Sequence, residues 1–158
     1  MRGPGIRVGA WPPARSGEAV EALADAFHDY PVMRYIIGEA GADYDRRLEL
    51  GVAAKARSEK LIEIWERLAV PGPQHHVNML GVRHSHAGRG LGRLLLDAVH
   101  EMSRRDAESA GVSLSTEDPK NVTLYQHCGY EIKAHERVSN DLETWILFRK
   151  DDAPDEKA

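Results

Sequence analysis

The chain has 158 residues, 42% hydrophobic and 29% charged, a balance that suits one packed core and sets aside fibrous and low-complexity classes. Lys and Arg number 21 against 25 Asp and Glu, a net charge of −4 spread along the chain, which leaves no basic patch for nucleic acid. No apolar run approaches the ~20 residues of a membrane span, and the one cysteine, Cys128, excludes an internal disulfide and fits a reducing, cytoplasmic setting.

The first eleven residues lack the continuous apolar stretch of a secretion signal. Residues 6–11 alternate apolar and polar and then meet Pro12-Pro13, which predicts a short strand and a turn. Ser16 is placed to cap a helix in which Val20, Leu23, Ala24 and Phe27 recur at helical spacing. Pro31 ends it near Tyr30. A second short helix or turn follows over 32–37, then a loop. From 44 to 70 the pattern is helical, with Leu48, Val52, Leu61, Ile64, Trp65 and Leu68 as apolar landmarks, and Pro71-Gly72-Pro73 stops it.

Residues 75–82 (HHVNMLGV) read as a strand, and Gly88 opens a glycine-rich loop. Leu91, Leu95, Ala98, Val99 and Met102 then mark an amphipathic helix over 91–110, with Arg104 and Arg105 near its C-terminus and Gly111 at its end. A strand over 112–116, a turn at Glu117-Asp118-Pro119-Lys120, a short helix over 121–128 and two strands over 130–138 and 142–149 complete the series. The central strand–helix–strand run implies parallel neighbours joined by a right-handed crossover. The fold class is therefore α/β (α+β): a mixed twisted sheet of about five strands flanked by helices, one domain over 1–150 and a frayed charged tail after it.

The sharpest local feature is Arg83-His84-Ser85-His86-Ala87-Gly88-Arg89-Gly90-Leu91-Gly92-Arg93 between strand and helix. Glycines at alternate positions let backbone approach a ligand, and the first helical turn aims free N–H groups at that space. A diphosphate is the natural occupant. The dinucleotide fingerprint fails because Arg93 stands where its third glycine belongs, and the triphosphate loop fails for want of Gly-Lys-Ser/Thr. The bland alternative is a tight turn and nothing more.

Two segments together resemble the GNAT superfamily of N-acetyltransferases. Leu80-Gly81-Val82 followed by Ala87-Gly88-Arg89-Gly90-Leu91-Gly92 is similar to the family's strand end and Gln/Arg-x-x-Gly-x-Gly/Ala loop. Asn121-Val122-Thr123-Leu124-Tyr125-Gln126-His127-Cys128-Gly129-Tyr130 is similar to its Asn…Tyr…Gly-Phe/Tyr segment. The resemblance covers roughly residues 75–150, and Ala87 departs from it where the family prefers Gln or Arg. It implies a splayed parallel strand pair holding acetyl-CoA as co-substrate, with no metal, and an amine of a small molecule or peptide as acceptor. It also implies that the backbone of Leu80, Gly81 and Val82 pairs with the pantetheine arm. The amides of Gly88, Arg89, Gly90, Leu91, Gly92 and Arg93 would hold the diphosphate, Asn121 would bond the arm, and Tyr125 would lie near the sulfur.

Acyl transfer to an amine needs a base, stabilisation of the carbonyl oxygen and an acid for the thiolate. Tyr125 is the candidate acid, its other reading being an aromatic that packs a short helix. The candidate bases are His76, which shares a strand face with Asn78, Leu80 and Val82, and Glu117 just beyond the next strand; each also reads as a structural residue. His75-His76 and His84-x-His86 lack the further ligands of a metal site. Trp65 and Trp145 read as core or pocket wall, and Cys128 as a small core residue. The family's acceptor-pocket hairpin has no counterpart in 44–73, so the chain reads as shortened there. A bare edge on the 75–82 strand would be covered by the first strand or by a second molecule in a homodimer. An acyl-CoA-binding module without turnover is the alternative to an enzyme.

Overall fold

The computed structural model describes residues 15–28, 30–37 and 44–151. The strand expected at 6–11 and the tail after Asp151 lie outside them.

Three helices come first: α1 (Ser16–Phe27), α2 (Pro31–Ile37) and α3 (Tyr44–Leu68). Ser16 does not cap α1; it is the first helical residue, and Arg15 precedes it with no side-chain cap bond. What closes that turn instead is the Arg15–Glu18 ion pair at 2.6 Å. α2 starts at Pro31 because the proline φ suits a first helical position. α3 bears out the helical reading of 44–70 as far as Leu68. It is tied down by Arg57 Nη2 donating to the Ile36 carbonyl at 2.6 Å and Lys60 Nζ to the Val138 carbonyl at 2.7 Å. Val32, Leu61, Ile64, Val138 and Leu142 form the apolar cluster under these bonds.

The strands are β1 (His75–Val77), β2 (Gly111–Thr116), β3 (Glu131–Arg137) and β4 (Glu143–Lys150), in the order β1-β2-β4-β3. Among the described residues the sheet has four strands where about five were expected. β1 runs parallel to β2, with His75 opposite Val112 and Val77 opposite Leu114. β4 is antiparallel to both its neighbours and is the hydrophobic spine: Ile146 and Leu147 are buried.

The strand expected over 75–82 ends at Val77, because beyond it the chain departs from β2 while β2 continues on β4. Residues 78–83 carry no regular structure. The helix expected over 91–110 is α4 (Leu91–Arg105). It stops at Asp106, whose backbone is extended and whose carboxylate accepts the Glu108 N–H at 3.1 Å, an Asp turn that competes with another helical turn. α5 (Pro119–His127) begins earlier than 121, with Pro119 in its first turn and Asp118 Oδ1 capping the Lys120 N–H at 2.9 Å. α4 and α5 cover one face over a core of Leu96, Val112, Leu114, Val122, Cys128, Tyr130 and Leu147. Gly111 is held to glycine by close approach: a Cβ there would lie 2.2 Å from the Arg149 carbonyl oxygen.

Candidate functional site

The parting of β1 from β2 opens a cavity of about 240 Å³ between the two chains. Val77, Asn78, Met79 and Leu80 wall one side, and Leu114, Ser115 and Glu117 the other. Asn121 and Tyr125 close it from α5, and Tyr30, Phe27 and Trp65 from the helical layer. Glu117, Asn121, Tyr125 and Leu80 are thus brought together.

Glu117 is 5% exposed, a buried carboxyl held by a chain of donors. Trp65 Nε1 donates to Thr144 Oγ1 at 3.1 Å, which leaves the threonine hydroxyl to donate to Glu117 Oε1 at 2.8 Å. The Glu117 N–H donates to Tyr30 Oη at 3.1 Å, and that phenol also bonds Thr116 Oγ1 at 2.8 Å. Burial pushes the Glu117 carboxyl above the usual carboxylate range, against the opposing pull of its hydrogen bonds. A carboxylate that binds its proton more tightly is a stronger base near neutrality. Tyr125 is pushed up to about 12, first by burial and then by Tyr30, Cys128 and Glu117 nearby.

His76 is not in this cavity. Its ring bonds Ser113 Oγ at 2.9 Å and borders a second cavity of about 310 Å³. Partial burial lowers its pKa. The two candidate bases therefore face different spaces, and only Glu117 shares one with Tyr125.

The glycine loop lies outside both cavities. Residues 84–86 make one 3-10 turn, fixed to α1 by Asp25 Oδ2 accepting the His84 N–H at 2.7 Å. Gly88 and Gly90 both hold φ of +74°, a left-handed conformation natural to glycine, and a Cβ on either would meet open space. Gly90 is the N-cap of α4, whose first turn has no acidic residue. The N–H groups of Leu91, Gly92 and Arg93 precede Leu94, the first to donate within the helix, to the Gly90 carbonyl at 3.1 Å, and are left to face outward along the helix axis. Arg89 and Arg93 flank them, exposed. The donor set and the absence of acid fit a diphosphate. Gly81 sits against α1: a Cβ on it would lie 2.7 Å from Ala26 Cβ.

Sequence reasoning missed Tyr30, Trp65 and Thr144 as supports of Glu117. Their partners lie 86 and 79 residues away, and no local pattern announces such contacts. A separate buried group, His100, accepts from Arg149 at Nδ1, so its Nε2–H donates to Tyr130 Oη at 2.8 Å; it borders neither cavity.

The family model described as an acetyltransferase (GNAT) domain matches residues 36–132. A solved structure described as histone acetyltransferase HPA2 and related acetyltransferase from Corynebacterium glutamicum aligns over 92% of this chain and 96% of its own. The identity is 16% and the TM-score 0.59, a likeness of fold. Ard1 from Thermoplasma volcanium aligns at 19% identity over 48% of this chain and 53% of its own, TM-score 0.42. Naa50 from Arabidopsis thaliana, solved with the bisubstrate analogue CoA-Ac-MVNAL, aligns at 18% over 48% and 53%, TM-score 0.42. The chain spans about half the length of these last two.

Proposed function

This chain belongs to the GNAT superfamily of N-acetyltransferases, and from that premise we propose that it transfers an acetyl group from acetyl-CoA to a primary amine. The observation that carries the proposal is the buried Glu117 facing Tyr125 across the cavity where the parallel strands part. Acetyl-CoA supplies the activated acyl group when bound; the chain's own residues place it and move the protons.

The amides of Gly88 through Arg93 hold the diphosphate, helped by the N-terminal dipole of α4. The backbone at Leu80, Gly81 and Val82 carries no ladder among the described residues and lies along the path from that loop to the cavity, where it pairs with the pantetheine arm. Asn121, beside the Tyr30 phenol, bonds the same arm. Glu117 takes the proton from the attacking amine, directly or through one water, and Thr144 and Trp65 hold its carboxylate in place. Tyr125 donates to the departing sulfur. A phenol at about 12 is a weaker acid than a thiol near 8.5, so Tyr125 acts as a hydrogen-bond donor that completes its transfer only as solvent reprotonates it.

Calorimetry with acetyl-CoA tests the reading. The parent should bind, and Gly90→Asp should not, because it sets both a strained φ and a negative charge against the diphosphate. Equal binding in the two proteins, or none in the parent, overturns it. Binding in the parent without turnover of any amine would leave an acyl-CoA-binding module instead of an enzyme.

A further inference from the structure

The second cavity adjoins the first at the strand gap. Trp65, Asn78 and Ser115 border both, so a ligand in one lies next to the other at Asn78 and Ser115. Glu66 and Gln74 are among the residues that line it. Glu66 is exposed on α3, and among the described residues its carboxylate forms no salt bridge. Gln74 spends its Nε2–H on the Val70 carbonyl at 2.6 Å, which leaves Gln74 Oε1 as the unpaired buried side-chain atom among the described residues. An acceptor left in that state is costly until a donor reaches it. The rest of the wall is Ala69, Val70 and Ile146, with His76 and Ser113 joined by their own hydrogen bond at 2.9 Å. No lysine or arginine lines the cavity among the described residues.

We propose that this cavity is the acceptor site and that it takes a compact aliphatic diamine, one ammonium anchored by Glu66 and Gln74 and the other amine presented at the Asn78–Ser115 gap. The inference rests on the acetyl-transfer reading above. A monoamine cannot satisfy both ends, because its single nitrogen is needed at the gap. The methylene body matches Ala69, Val70 and Ile146, and the cation matches a wall with a carboxylate and an unanswered acceptor and no lysine or arginine. The Gln74 amide turns toward the cavity to accept from the anchored ammonium. At the gap the second amine gives its proton to Glu117, its nitrogen bonds the acyl carbon, the C–S bond breaks, and the sulfur leaves as a thiolate hydrogen-bonded by Tyr125, whose proton it takes as solvent reprotonates the phenol.

The probes are 1,4-diaminobutane and 1,5-diaminopentane against 1-aminobutane and 1-aminopentane, which replace the anchoring ammonium with a methyl. In turnover with acetyl-CoA, the parent should prefer each diamine by about tenfold or more in kcat/KM, the factor that one modest charge contact supplies. Glu66→Gln should erase that preference by raising KM for the diamine, with kcat and acetyl-CoA affinity unchanged. Gln74→Met should raise the same KM. Calorimetry with 1,4-diaminobutane and no acetyl-CoA judges the anchor separately: binding that weakens in Glu66→Gln supports it even if transfer fails. Monoamines or a free peptide N-terminus used as well as the diamines by the parent, a diamine preference that survives Glu66→Gln, or no diamine binding to the parent while acetyl-CoA binds, would each overturn the proposal.

Discussion

The Tyr125 phenol, pushed up to about 12 by burial, stays protonated across the range in which a thiolate departs. Tyr125→Phe keeps the ring that packs on Tyr130 at a centroid distance of 5.8 Å and deletes only the hydroxyl. The expected result, read by single-turnover kinetics, is a loss of about 10²–10⁴-fold in the chemical step. Acetyl-CoA affinity, read by calorimetry, should stay as in the parent. Glu117 separates catalysis from stability. Its folded pKa lies above its unfolded one, so the folded state binds the proton more tightly, and stability falls as pH rises out of the ordinary carboxylate range through the raised value. Glu117→Gln keeps an oxygen for the Thr144 hydroxyl and removes the desolvated charge. It should melt higher than the parent at pH 8, match it near pH 4, and lose about 10²–10⁴-fold in kcat together with the acid limb of the pH–rate profile. A variant that melts lower than the parent at pH 8 would show that the carboxylate is a net stabiliser.

At the scale of elements, α3 stands where related enzymes were expected to have a hairpin, and its periodicity was plain: Leu61 and Ile64 are both buried. Leu61, 1% exposed, joins α3 to α2 through Val32 and to the β3–β4 end through Val138 and Leu142. Leu61→Ala should cost about 2–5 kcal/mol in urea unfolding, whereas its neighbour Ile62, 47% exposed, should cost under about 0.5 kcal/mol when made Ala. Equal costs would mean that the cluster does not join these elements. The glycine loop was legible because its requirement is local: φ of +74° at Gly88 and Gly90 is written in the residue type itself. The end of β1 at Val77 was not, because HHVNMLGV has strand propensity throughout and what stops the ladder is the divergence of a partner 37 residues away. Tyr125 and Glu117, which line one cavity, were singled out through the resemblance and the strand end. The bonds from Trp65 through Thr144 to Glu117 are invisible to any window of sequence.

Across the whole molecule, support is uneven. β2 and β4 lie inside the sheet, and their buried residues fill the core. α1 buries none of its own residues and is held by exposed contacts, Arg83 to Glu21 at 3.4 Å and Asp25 to the His84 N–H at 2.7 Å, over the bare backbone of Gly81. Yet Phe27, in its last turn, walls the cavity where the strands part. A helix that rests on its neighbours in this way is expected to open alone, without the sheet, and so to uncover the cleft. Hydrogen exchange should therefore show α1 amides turning over through a local event many-fold faster than β2 amides, which wait for global unfolding. Saturating acetyl-CoA should slow the α1 amides and leave the β2 rates set by the whole fold. Protection of α1 equal to that of β2 in the free protein would mean that this wall of the cleft does not move by itself.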